Sequence, residues 1–251
     1  MDNFQIGLLT TFILGIFIII GSLFALLISK KSKIVDFSIG LAFGVIVALI
    51  ITDLLPELLE SLGFRYLHIL IVFTLIGFFL LKLLDHFVPD HHEDHMSKKE
   101  ENENLTHIGI ITTFTLVLHN IVEGIAVYST AISNPSLAIG LSIGVGFHNI
   151  PLGIVVASSF YHSNQSMMKT IVSIAFVSLS TFFGGLLMYS FHLTNLSEFV
   201  LGILLSLTLG MLLFIVIDEL VPRIHHMKKK KIAYFGIISG VVILLLALFI
   251  G

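Results

Sequence analysis

The sequence predicts an all-α polytopic membrane protein of eight spans, and three observations carry that expectation. Of its 251 residues, 56% are hydrophobic, and the mean hydropathy is +1.05. The apolar residues fall in repeated stretches of about twenty or more, the length a helix needs to cross a bilayer. Lysines and arginines gather in the connections that follow alternate stretches. A soluble domain of this size could not bury so much apolar surface, because the area a core covers grows too slowly with chain length.

The rest of the composition narrows the class. A net charge of -3 offers no basic surface for nucleic acid. There is no cysteine, which removes disulfides, thiolate metal sites and cysteine nucleophiles together. The start, Met1-Asp2-Asn3-Phe4, lacks the basic region of a cleaved signal peptide, so the first apolar stretch is read as a true span.

In chain order the expected spans are roughly 6–28, 34–60, 66–88, 106–130, 137–161, 169–193, 197–224 and 232–250. Lys30, Lys31 and Lys33 follow the first, Lys82 closes the third, and Lys98 and Lys99 precede the fourth. Lys169 follows the fifth, while Arg223 and Lys228 to Lys231 follow the seventh. All of these share one side, and Arg65 alone lies opposite. The positive-inside rule makes that side cytoplasmic and puts both termini outside. The connection 89–105 opens Pro89-Asp90-His91-His92-Glu93-Asp94-His95 and is expected to form a cytoplasmic loop too polar to pack. A His-rich tract of this kind is either a solvated linker or a weak divalent-metal binder. The chain reads as one membrane domain over 1–251, with that loop inside it.

Chemistry concentrates in two echoes. His119-Asn120-Ile121-Val122-Glu123-Gly124 in span 4 returns as His148-Asn149-Ile150-Pro151-Leu152-Gly153 in span 5. A helix sets His119 and Glu123, four residues apart, on one face. Counted from the span ends, His119 and His148 both lie about 16–20 Å deep, near the bilayer centre. Polar and ionisable groups are costly there, which favours a site over a lone hydrogen-bonded contact. Imidazole and carboxylate suit Zn, Fe(II) or Mn, and the Asn120 and Asn149 carbonyls add weaker ligands. Weak ligands fit an ion that must leave again. Gly124, Gly144, Gly146 and Gly153 allow close helix approach, and Pro151 releases the carbonyl of Phe147.

The second echo pairs Asp53-Leu54-Leu55-Pro56 of span 2 with Asp218-Glu219-Leu220-Val221-Pro222 of span 7. The two spans run in opposite directions, so the repeat is inverted, as in secondary transporters. Asp53 and Glu57 form an acidic mouth outside. Asp218 and Glu219, with Asp85, His86, His225 and His226 nearby, form an acidic and histidine-bearing exit inside. For Glu57, Asp85, His225 and His226 the plain alternative is a polar tip reaching water from a span end.

These residues resemble the ZIP family, the Zrt- and Irt-like divalent metal transporters, over essentially the whole chain. The resemblance rests on His119-Asn120-x-x-Glu123-Gly124, His148-Asn149-Ile150-Pro151-x-Gly153, Leu54 to Glu57, and Asp218 to Pro222. It implies import of Zn, Fe or Mn into the cytoplasm as transported substrate, with no cofactor. It also implies a cell-membrane location, ligands at His119, Asn120, Glu123, His148 and Asn149, and a 3+2+3 plan with spans 1–3 and 6–8 as inverted repeats. Many relatives move like an elevator, a unit of spans 1, 4, 5 and 6 sliding against spans 2, 3, 7 and 8. Dimers are common among them, which adds a second copy of the chain to the expected partners, beside the metal ion and the lipid.

Leu152 departs from the pattern, since bacterial relatives usually carry glutamate there, bridging two metals. Span 6 also lacks a carboxylate. One principal site is therefore expected, on His119, Glu123 and His148. The alternatives are an intramembrane zinc hydrolase, which would need an open water position and a general base, and a non-transporting metal-sensing homologue. HExxH is absent, which disfavours the hydrolase.

Overall fold

The computed structural model describes residues 2–28, 33–87, 98–162, 166–227 and 230–250. Within them the chain forms ten α-helices and no strand. The helices are α1 (Asn3–Ile28), α2 (Lys33–Leu49), α3 (Leu55–Leu62), α4 (Leu67–Asp85) and α5 (Lys98–Ser133). They continue with α6 (Pro135–His162), α7 (Met167–Ser190), α8 (Glu198–Phe214), α9 (Val221–His226) and α10 (Lys230–Ile250). Ser166 and Ser197 cap α7 and α8, each accepting from the backbone N–H three residues on, which satisfies a donor the first helical turn leaves open.

Seven segments are long and apolar enough to cross a bilayer: Asn3–Leu27, Asp36–Leu62, Phe64–Asp85, Gly109–Ser133, Ala138–Tyr161, Met167–Ser190 and Glu198–His226. They fall on the first seven expected spans, and α10 covers the stretch expected as the eighth. The chain is a multi-pass membrane protein.

The connection 89–105 departs from expectation. Residues 89–97, with His91, His92 and His95, lie outside the described residues, as do Lys30, Lys31, Lys228 and Lys229. Lys98 to Leu105 is not a loop but the opening turns of α5. Lysine and glutamate are good helix formers and no glycine or proline interrupts the stretch, so polarity alone does not stop the helix.

Two spans are interrupted in matching ways. Between α2 and α3 the helix widens into a π-turn over Ile50–Leu54; between α8 and α9 it widens over Ile215–Leu220. The Leu55 N–H donates to the Ile50 carbonyl and the Val221 N–H to the Val216 carbonyl, both five residues back. Each donor is followed at once by proline, Pro56 or Pro222. Proline has no N–H and its ring collides with the carbonyl four residues earlier, so an extra residue in the turn relieves the clash. Counting back from the prolines aligns Asp53 with Glu219 rather than with Asp218.

Packing divides the helices into two groups. α1, α5, α6 and α7 pack on one another; α2–α3, α4, α8–α9 and α10 form the second group, built on the pairs α2 with α10 and α4 with α8. Glycines produce the closest contacts inside each group. In the first, a methyl added at Gly15, Gly21 or Gly153 would overlap a carbonyl of Ser178, Ile150 or Ile18, and one at Gly124 or Gly184 a carbonyl of Thr181 or Ile121. In the second, Gly40, Gly44, Gly236 and Gly240 join α2 to α10, and Gly77 and Gly210 join α4 to α8. Among the described residues, every glycine set against another helix's carbonyl does so within its own group. The seam between the groups, where α2 and α10 meet α6 and α8 meets α5, has no such contact among them.

Candidate metal site

α5 and α6 are separated by Asn134 alone and run antiparallel, since Gly109 near the start of one lies against Phe160 near the end of the other. His119 and Asn149 each stand fifteen residues from Asn134, so the two motif copies sit level along the hairpin. The spacing that suggested matched depth in the membrane therefore has a structural counterpart.

The third and sixth positions of each copy are packing positions. The Ile121 carbonyl and Gly124 face α7, through Gly184 and Thr181; the Ile150 carbonyl and Gly153 face α1, through Gly21 and Ile18. Each copy thus fixes its helix against a neighbour. His119, Asn120 and Asn149 are buried, and Glu123 is half-buried.

The two asparagines differ in how they are held. Asn120 Nδ2 donates to the Val177 carbonyl of α7 at 3.2 Å. Its Oδ1, and both amide atoms of Asn149, are buried without a hydrogen-bond partner among the described residues. An amide left so in a membrane interior costs about 1–3 kcal/mol per group, which a bound cation or its water would recover. Asn120 is thus half committed to packing, and Asn149 wholly open to a ligand. His148 lies on α6, one residue before Asn149; its side chain is outside the described residues. Leu152 is fully buried in the main apolar core, so the position where the resemblance leads one to expect glutamate is interior.

Asp53 lies in the first π-turn and Glu57 one turn beyond it, both half-buried.

At the opposite end the exit residues separate. Asp218 accepts from Lys82 Nζ at 3.0 Å, an ion pair within the second helix group. Glu219 turns instead toward His107 of α5, whose Nε2 lies 3.4 Å from Glu219 Oε1 and 2.5 Å from Asp85 Oδ1. The ligand atoms of Asp85, His107 and Glu219 all fall within 4.8 Å of one another. His86, His225 and His226 stay on the surface. His107 is the residue sequence reasoning missed. Its signal was available: a histidine in the first turn of an expected span, level with the carboxylates that end spans 3 and 7.

Comparison with known proteins shows the family. The family model described as ZIP Zinc transporter matches residues 89–248. The chain belongs to the ZIP family. A zinc transporter ZupT of Chlorobium luteolum is 31% identical to it, covering 99% of this chain and 98% of that protein. Zinc transporters ZupT of Clostridium perfringens, at 28% with 99% and 96% covered, and of Escherichia coli O7:K1, at 26% with 94% and 93% covered, are also similar. ZIP membership sets the chain among metal transporters rather than enzymes.

Proposed function

We propose that this ZIP protein imports divalent transition-metal cations, zinc foremost, with Fe(II) and Mn(II) as further candidates, into the cytoplasm through a site at mid-membrane. The observation that carries this reading is the fully buried Asn149 amide, open at both atoms and level with His119, Asn120 and Glu123 on the neighbouring helix. His119 and His148 supply imidazole nitrogens, Glu123 the anionic charge that offsets the ion's lost water, and Asn120 and Asn149 carbonyl oxygens. With leucine at 152 the site takes one principal metal. Asp53 collects ions outside, and Asp218 and Glu219 receive them inside.

The division into helix groups supports an elevator motion, in which α1, α5, α6 and α7 travel together past the other group. Glycine contacts make each group a unit, and the seam lacks them. The pairings also support eight spans with spans 1–3 and 6–8 inverted. Exchanging those repeats turns the α1–α6 contact into α7–α5, and α2–α10 into α8–α4, and all four occur. Outward termini and assembly as a homodimer belong to the same reading.

The test is zinc uptake into liposomes holding the purified chain. Glu123→Ala is expected to reduce uptake to the level of empty liposomes, because an ion stripped of water without a compensating charge faces a penalty of several kcal/mol. Uptake that survives the substitution sinks the site assignment. Wild-type liposomes that bind zinc but move none would favour the metal-sensing alternative.

A further inference from the structure

The corner between α9 and α10 is left unused by the metal site, and its charge is one-sided. Arg223 and Lys228 to Lys231 carry it, and no aspartate or glutamate follows Glu219 in the chain. Other bases on the same side have acidic neighbours. Lys82 is paired with Asp218, Lys98 and Lys99 adjoin Glu100, Glu101 and Glu103, and Lys33 is offset by Asp36 on α2. We propose that this corner binds an anionic phospholipid. Lys230, Lys231 and the end of α9 hold its phosphate, and an acyl chain lies along α10. The inference rests on α10 crossing the bilayer as the eighth span, and on nothing else in the reading above.

Packing fixes which side of the corner is open. Ile224 is buried in the main apolar core and Met227 packs against it. His225 and His226 are left exposed, their rings edge to face with centroids 5.4 Å apart. α10 is held against the start of α2, where Gly40 meets the Ala233 carbonyl and Gly236 the Phe37 carbonyl. Ala233, Gly236, Gly240 and Leu244 form the buried side of α10. Lys231, Phe235, Ile238, Val242 and Leu246 are all exposed and recur at steps of three or four residues, so they share one face. Phe235 and Ile238 are 65% and 62% exposed. That face runs about 22 Å from Lys231 to Leu246 at the rise of an α-helix.

The order of groups on this face is the order of groups in a phospholipid. Ammoniums come first, the Tyr234 and Phe235 rings follow at headgroup level, and aliphatic side chains continue beneath. The face is longer than the hydrocarbon of one leaflet, about 15 Å, so an acyl chain is accompanied over its whole length. Lysine offers a phosphate three donors and the two imidazoles add more, and bonds to an ionised acceptor are the stronger kind. Phosphatidylcholine brings the same phosphate with a quaternary ammonium that these lysines repel, so the corner selects by net charge. A free phosphate gains nothing from Phe235 or Ile238, which is why the occupant is a lipid.

Native mass spectrometry of the purified full chain in an uncharged detergent tests this, with phosphatidylglycerol and phosphatidylcholine added in equal amounts. The wild type is expected to retain phosphatidylglycerol in preference. Each basic residue near an anionic surface is worth about fivefold in affinity, so Lys230→Gln with Lys231→Gln should weaken that binding about thirtyfold. Lys169→Gln, at the start of α7, should leave it unchanged. Neither Lys230 nor Lys231 belongs to the buried side of α10, so the double variant is expected to melt like the wild type without added lipid. Equal retention of the two lipids by the wild type, or a preference that survives the double substitution, overturns the site. Phe235→Ala is expected to weaken binding of long-chain phosphatidylglycerol and to spare the dihexanoyl form. Equal effects on both overturn the acyl-chain contact. Inorganic phosphate at the same concentration should displace no lipid; displacement means a site for free anions and overturns the lipid assignment. Zinc uptake through the central site is measured separately, so failure here leaves the transport reading standing.

Discussion

The interfaces inside the two helix groups and the seam between them are built from different materials. Inside, glycines such as Gly124, Gly153, Gly40 and Gly210 bring a helix against a neighbouring carbonyl, and such contacts fit in one register only. Across the seam, apolar side chains of both groups share one core, and polar links join it: Ser38 Oγ donates to Ser158 Oγ at 3.0 Å between α2 and α6, and His107 meets Asp85 and Glu219. In a bilayer no hydrophobic force holds helix to helix, so backbone packing decides what moves as a unit. The difference teaches that glycines mark which helices pack as a unit, and that the boundary proposed to move lacks such contacts among the described residues.

The largest expected effect comes from closing the seam covalently. The chain contains no cysteine, so Ser38→Cys with Ser158→Cys introduces a single pair where two hydroxyls already touch. A disulfide is expected on oxidation, since a bridge needs Cβ atoms about 3.5–4.5 Å apart. Zinc uptake in liposomes should fall to background when oxidised and return on reduction. Full uptake through the cross-linked protein would refute the sliding seam and leave the metal site intact.

The fold was largely legible in the sequence because the bilayer imposes a length on every apolar stretch. Seven expected spans recur as helices with ends shifted by a few residues. The motif was only half legible. His119, Asn120 and Glu123 stood out as polar groups in an apolar run, but the packing duty of Ile121 and Gly124 required the neighbouring helix to be known. The π-turns were invisible for the same reason, since proline announces a kink without saying how the helix accommodates it. That ambiguity hid the alignment of Asp53 with Glu219. His107 escaped because its partners lie on two other elements, 22 residues before it on one side and far along the chain on the other. Polarity misled only at Lys98 to Leu105, where helix propensity outweighed the charge.

Within a group, overpacking is expected to act on stability before it acts on transport. Gly184→Val would drive a branched side chain into the Ile121 carbonyl. Overpacking costs about 1–3 kcal/mol and more where backbone must shift. A thermal melt of the purified protein should drop, with uptake per folded molecule falling as α5 is displaced from α7. A melt equal to wild type would show that α5 and α7 are not held in one register, and the contrast with the seam would lose its basis.

The smallest effect should come from loosening the seam. Ser158→Ala removes one side of a neutral hydrogen bond, worth about 0.5–1.5 kcal/mol. Ser38 remains on α2, five residues beyond Lys33 at the helix start and buried against α6, and its hydroxyl can turn to a backbone carbonyl one turn back, as helical serines do. The net loss is therefore expected at the low end of that range, with little change in the thermal melt. Transport responds differently, because a bond present in one arrangement of the groups and broken in the other sits in the barrier between them. Removing it should leave the metal affinity of the central site unaltered and raise the uptake rate at saturating zinc by about twofold to fivefold, the factor that 0.5–1 kcal/mol sets. A lower rate with unchanged affinity would instead assign the Ser38–Ser158 contact to both arrangements, and the α2–α6 boundary would then move with the first helix group rather than mark its edge.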